Sequence, residues 1–250
     1  MIYLTGVTND RIESALIQAE IGLMVQPGSG YQTRVDRYPV FGADNGCFAG
    51  KWVEEKHFDW LAQLPPDKCL FAVSPDVYPD AAESLRRGLE FAPIIRDMGF
   101  PVAVVAQDGA ERLHWPWDQI DCLFLGGQQR PRGRLEWKES EAAAHLAREA
   151  RNAGCWVHMG RVNSLRRMER ARLMGCQSAD GTFLKWRKRR RTGENDVARH
   201  KRGEVELAMW GQWLAMNQPF PQMVQYEIPS HPLHRAMVMS DHYSLPRKAT

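Results

Sequence analysis

The chain has 250 residues, of which 44% are hydrophobic and 25% charged, enough to bury one full core without the help of disulfides or metal ions. Its formal net charge is only +3, so overall charge does not mark it as a polynucleotide binder, and five scattered cysteines with no CxxC pair argue for reduced thiols and against a disulfide framework. The opening MIYLTGVTNDRIES has no basic leader, and no window reaches the roughly 18 apolar residues of a membrane span. The expectation is a soluble, cytoplasmic protein that does not engage a membrane.

Eight short apolar or β-branched runs follow one another: IYLTGV, IGLMVQ, VFGAD, CLFAVSPD, VAVVAQD, CLFLGG, CWVHMG and SADGTFL. Helix-period patterns fill most of the intervals, over 10–20, 51–64, 79–98, 137–153, 163–174 and 202–217. Asn163 reads as the cap that opens one helix, and Gly99, Gly154 and Gly175 as the residues that close three others. QPGSGYQTRVDRYP, after the second run, reads as a loop on its Gly and Pro content. Such alternation predicts a parallel sheet of the α/β class.

An open, doubly wound sheet would alternate in the same way, but it gathers its chemistry at one or two switch points. Here Asp44, Asp76, Gln107, Gly126 with Gly127, and Asp180 each end a different apolar run. That distribution predicts a single (β/α)8 TIM barrel, somewhat irregular, whose strand ends surround one axial pocket. The barrel is expected over about 1–217 and an extended, Pro-rich segment wrapping it over 218–250, all in one domain.

Unpaired carboxylates are costly at buried strand ends, so the aspartates are the first candidates for chemistry. Asp44, followed by Asn45-Gly46, reads either as a group pointing into the barrel mouth or as a turn residue capping the next helix. Asp76, between Pro75 and Pro79, has the same two readings, whereas Asp80 reads as a helix N-cap. Gln107 offers a donor and an acceptor in one plane, and Gly126-Gly127 let a backbone approach a ligand closely. His114 and His158 are not spaced as ligands on one helix face and read as packed or surface residues. Arg161 stands at a strand mouth, in reach of a ribose or phosphate.

In this order and at these intervals, DNGCF, SPD, AQDG, LGG, HMGRVNS and SADGT resemble the tRNA-guanine transglycosylase superfamily, and look closest to its compact phage-type members that modify DNA guanine. The match runs from about Val40 to Leu184. The resemblance implies Asp180 as a covalent nucleophile and Asp44 as the general acid/base. It implies a base-binding set of Asp76, Gln107, the backbone donors of Gly126 and Gly127, and Met159 against the flat face of the base. It also implies no cofactor, since the CxCxxC zinc site of the bacterial tRNA enzymes has no counterpart after Cys176. DNGCF in place of DSGGF, GGQQRPRGRLEWK in place of GGLAVGE and DGTFLKWRKRRR in place of a PTR-type sequence set this chain apart.

The function so implied is exchange of guanine in DNA for a free 7-deazaguanine such as preQ0. Asp180 would displace the base from C1′ and Asp44 would protonate it, with retention through a glycosyl-enzyme intermediate. The same exchange on tRNA, or a non-catalytic nucleic-acid-binding barrel, are the alternatives. Nine Lys or Arg fall within the eighteen positions from Lys185 to Arg202. Lys185, Arg187, Lys188, Arg189, Arg190 and Arg191, with Arg161, are thus the candidate nucleic-acid contacts, a basic insertion after the eighth strand.

Overall fold

In a parallel sheet covered by helices on one side and closed on itself on the other, both faces of each strand are buried, so strands read as unbroken apolar runs. All eight runs form such strands in the computed structural model: β1 (Ile2–Thr5), β2 (Gly22–Val25), β3 (Phe41–Ala43), β4 (Cys69–Val73), β5 (Val102–Ala106), β6 (Cys122–Leu125), β7 (Trp156–Met159) and β8 (Ser178–Gly181). The structure describes residues 1–182 apart from 7, 9, 11, 12, 51, 132 and 133, together with 193 and 195. Each strand pairs in parallel with the next, and β8 returns to β1 with Leu4 opposite Asp180 and Thr5 opposite Gly181, closing the barrel. The chain is an α/β protein with the (β/α)8 TIM-barrel fold.

Five α-helices connect the strands: α1 (Glu13–Gln18), α2 (Glu54–Leu61), α3 (Ala81–Asp97), α4 (Glu141–Asn152) and α5 (Leu165–Leu173). Between β2 and β3 there is only a 3-10 turn, Gln32–Arg37, in the segment read as a loop. Asp80 caps α3 by accepting from the Glu83 amide at 3.0 Å, and Gly99, Gly154 and Gly175 follow α3, α4 and α5 with positive φ. Asn163 is not the cap of α5. That position is taken by Ser164, whose hydroxyl accepts from the Arg167 amide, while Asn163 Oδ1 accepts from the Thr182 amide at 2.7 Å and ties the end of β7 to the end of β8. The expected helix over 202–217 and the segment over 218–250 lie outside the described residues.

Side chains alternate across each strand, and two apolar layers result. Inside the barrel pack Leu4, Met24, Phe71, Val105, Cys122 and Trp156; between barrel and helices pack Leu23, Phe41, Val104, Leu125, Val157 and Met159 with their helical partners. No described helix is long and apolar enough to cross a membrane.

Candidate active site at the C-terminal mouth of the barrel

The inward register carries polar groups to the C-terminal mouth. Asp44 follows β3, Asp76 lies beyond β4, Gln107 follows β5, Gly126 follows β6 and Asp180 sits in β8; all line one cavity of about 420 Å³, large enough for a small molecule. Phe124 lines its floor, and Phe48, Tyr78 and Arg161 its wall and rim.

Asp44 caps no helix. Its amide donates to Val25 O at 2.7 Å, and Gly46, at φ +72°, turns the chain so that the amides of Gly46 and Asn45 face the carboxylate. Those bonds do not offset burial and the neighbouring charges of Asp180 and Asp76, and the Asp44 carboxyl is pushed up to about 7. A group so placed holds or releases a proton near neutrality.

Asp76 and Gln107 form one wall. Gln107 Nε2 donates to Asp76 Oδ2 at 2.8 Å, and Asn45 Nδ2 donates to Asp76 Oδ1 at 2.9 Å and to Ser74 O at 2.7 Å. Burial raises the Asp76 carboxyl above its ordinary range while these two amides pull it down. Asn45 was not singled out from sequence; the Asn-Gly turn after a strand-end aspartate was its only signal.

Two members of the expected ligand-binding set are differently employed. The Gly126 amide belongs to the strand ladder, donating to Ala106 O at 3.0 Å, and the Gly127 amide donates to Gln107 Oε1 at 3.1 Å. Both backbone donors are thus committed within the protein, and the two carbonyls accept from Arg161 Nη2. Met159 lies on the opposite face of β7 from the cavity, fully buried against the helices. Arg161 lines the cavity, with its guanidinium 5.3 Å from the Phe48 ring. Lys185, Arg187, Lys188, Arg189, Arg190 and Arg191 lie outside the described residues.

Asp180 is held most closely. His158 Nε2 lies 3.0 Å from Asp180 Oδ1, and the Arg161 amide donates to the same oxygen at 3.2 Å. The His158 ring is fully buried between Phe71 and Phe124, each centroid 4.7 Å away, and burial lowers its pKa. Sequence reading placed His158 among packed residues and missed this contact.

No family model and no curated protein matches the chain. Among solved structures, the YdjI aldolase from Escherichia coli K12 superposes with a TM-score of 0.52 at 12% identity, covering 86% of this chain and 90% of that one. A designed cube-shaped protein cage of fused oligomeric domains gives 0.42 at 14% identity, covering 86% and 73%, and a native KDPGal structure 0.41 at 16%, covering 85% and 95%. At these identities the likeness is one of fold.

The expectation of guanine exchange in DNA is corrected by these findings. The structure of like fold that superposes with a TM-score of 0.52 is an aldolase and not a transglycosylase, and three of the five residues expected to hold the base, Gly126, Gly127 and Met159, do not offer the contacts assigned to them.

Proposed function

We propose that the chain is an enzyme performing acid–base chemistry with a pair of carboxylates, Asp44 as the proton donor and Asp180 as the ionised partner. Its substrate is a small, uncharged or cationic molecule rich in N–H or O–H donors. The observation that carries this reading is the contrast between the two aspartates in one cavity. Asp44 has no cationic partner among the described residues and is raised to about 7, whereas one Asp180 oxygen accepts from the Arg161 amide and lies 3.0 Å from His158 Nε2. A carboxyl group that holds its proton near neutrality beside a second carboxylate with its own donor is a pattern that supplies an acid and a base at once.

The charge of the lining supports the substrate class. Among the described lining residues, even with Asp44 protonated, two carboxylates, Asp76 and Asp180, face one guanidinium, Arg161, so an anion entering the cavity meets net repulsion. Each Asp76 oxygen takes one side-chain donor and keeps lone-pair capacity for a ligand N–H. Schiff-base chemistry finds no lysine among the described lining residues: Lys138 is buried beneath the cavity, with Nζ donating to Gly160 O.

The test is a binding panel read by NMR on the full chain, with benzamidine and uracil as donor-rich probes and inorganic phosphate and pyruvate as anionic ones. Donor-rich probes should shift the resonances of Gln107 and Asp180, and Asp76→Ala should weaken them about tenfold or more, the loss of one or two buried hydrogen bonds. Binding of the anions in the cavity, with none of the donors, would overturn the reading.

A further inference from the structure

Asp180 Oδ1 is approached by two donors, each backed by a second residue deeper in the barrel. Behind His158 stands Ser178, whose Oγ lies 2.7 Å from His158 Nδ1 and accepts from Trp156 Nε1 at 2.7 Å. The indole nitrogen is only a donor, so the serine proton is left to point at Nδ1. With Nδ1 accepting, a neutral imidazole carries its hydrogen on Nε2, facing Asp180. The opposite tautomer would turn a lone pair on Nε2 toward the carboxylate and leave the serine proton without that acceptor.

Behind the Arg161 amide stands Lys138. The Gly160 carbonyl and the Arg161 N–H belong to one peptide unit: the carbonyl accepts from Lys138 Nζ at 2.5 Å, and the N–H donates to Asp180 Oδ1. A cation on the oxygen of a peptide withdraws electrons and strengthens its N–H as a donor. Lys138 is fully buried, with Nζ also 3.2 Å from Glu136 Oε2. Arg167 in turn pairs with Glu136 and Glu139, and Arg166 with Glu139. Burial of a lysine is costly, and its place here is against the peptide whose N–H donates to the Asp180 carboxylate.

We infer that His158 and Lys138 are positioning residues for Asp180, acting through the Nε2–H tautomer fixed by Ser178 and through the polarised 160–161 peptide, so that Oδ1 is saturated and Oδ2 is the oxygen offered to a ligand. The inference rests on the reading of Asp180 as the ionised partner. Its measurements use no ligand, so they succeed or fail separately from the binding panel.

Two NMR readouts on the full chain test it. With 15N-labelled histidine, His158 should show a protonated Nε2 and an unprotonated, hydrogen-bonded Nδ1 above the ordinary histidine range, from about pH 7 to 9. Ser178→Ala should mix the tautomers. A protonated Nδ1 in the parent would overturn the histidine half.

The Arg161 amide proton should show a titration step as Lys138 loses its proton, a group that burial and the charge of Arg161 lower to about 8 against the pull of Glu136. Asp44, Asp180, His158, Arg161, Glu136 and Glu139 also face this turn, and Asp44 titrates nearby, so the step is followed in Asp44→Asn as well. The step should persist there, disappear in Lys138→Met, and move to lower pH in Glu136→Gln. If Lys138→Met does not fold, the parent and Glu136→Gln still decide. An Arg161 amide without a step in the parent, or one unmoved in Glu136→Gln, would overturn the lysine half.

Discussion

Gly160 and Phe124 meet so closely across β7 and β6 that a Cβ on Gly160 would lie 2.6 Å from the Phe124 ring, and 3.4 Å from Asp180 Oδ1. The missing side chain lets the cavity floor and the Asp180 carboxylate share one layer of the barrel. Gly181 is tighter in a different way: a Cβ there would stand 2.5 Å from both Val162 O and Tyr3 Oη. A ring edge yields by rotating, but a backbone carbonyl in a barrel strand connection does not. Gly160→Ala should therefore cost about 1–3 kcal/mol and Gly181→Ala distinctly more, the usual range for overpacking and beyond it. Urea unfolding of the two variants checks the order, and equal losses would contradict it.

Met159 faces the helices, so its truncation should act on stability alone. Met159→Ala is expected to lose about 2–5 kcal/mol in chemical unfolding, the usual loss for a buried methionine. Ligands of the mouth should bind it as they bind the parent. A weakened probe with unchanged stability would instead place Met159 at the cavity.

The same alternation explains what the sequence disclosed and what it hid. The strands were visible because most are buried apolar runs ended by a polar or glycine residue, β8 with its Ser178 and Asp180 being the polar exception, and the spread of Asp44, Asp76, Gln107 and Asp180 over separate strand ends pointed to one mouth. The role of Met159 was read wrongly, and the contact of the packed His158 with Asp180 was missed, although period two separates the two residues: Asp180 and Gly126 fix the inward parity of β8 and β6, and the pairing of Phe124 with His158 and Leu125 with Met159 carries it to β7. Parity turns His158 inward and Met159 outward. The commitment of the Gly126 amide follows from the strand ladder, but that of the Gly127 amide was beyond reach, because it depends on where the Gln107 side chain folds back. So was the burial of Lys138, whose partner Glu136 is paired in turn with Arg167 of α5.

His57 gives an acid-sensitive spot in α2. It is 3% exposed, neither ring nitrogen has a hydrogen-bond partner among the described residues, and the rings of Trp52, Phe58 and Trp60 surround it. Burial lowers it from 6.5 to about 4. The unfolded chain binds the proton more readily, so this contribution to stability is intact above pH 6.5 and is lost as pH falls toward 4. His57→Phe should remove that loss: the melting temperature of the variant relative to the parent should rise on going from about pH 8 to about pH 5. A difference independent of pH would show that His57 does not titrate in this range.

Asp44 should give the opposite slope. Its carboxyl is raised from 3.8 to about 7 by burial first and by Asp180 and Asp76 after it, so the folded state holds a proton that the unfolded chain has released over roughly that window. Stability then falls as pH rises from about 4 to 7, and above about 7 the full cost of an ionised Asp44 is present. Asp44→Asn removes the charge while keeping the shape. It should be more stable than the parent at about pH 8, by up to a few kcal/mol, since each tenfold change in proton affinity on folding is worth about 1.4 kcal/mol, and close to the parent near pH 4. Its effect on chemistry should run the other way, because an amide cannot deliver a proton: the variant should still bind the donor-rich probes while losing turnover of any substrate that the parent converts. Thermal unfolding of both proteins between about pH 4 and 8 decides the stability claim, and an Asp44→Asn variant less stable than its parent at the alkaline end would refute it.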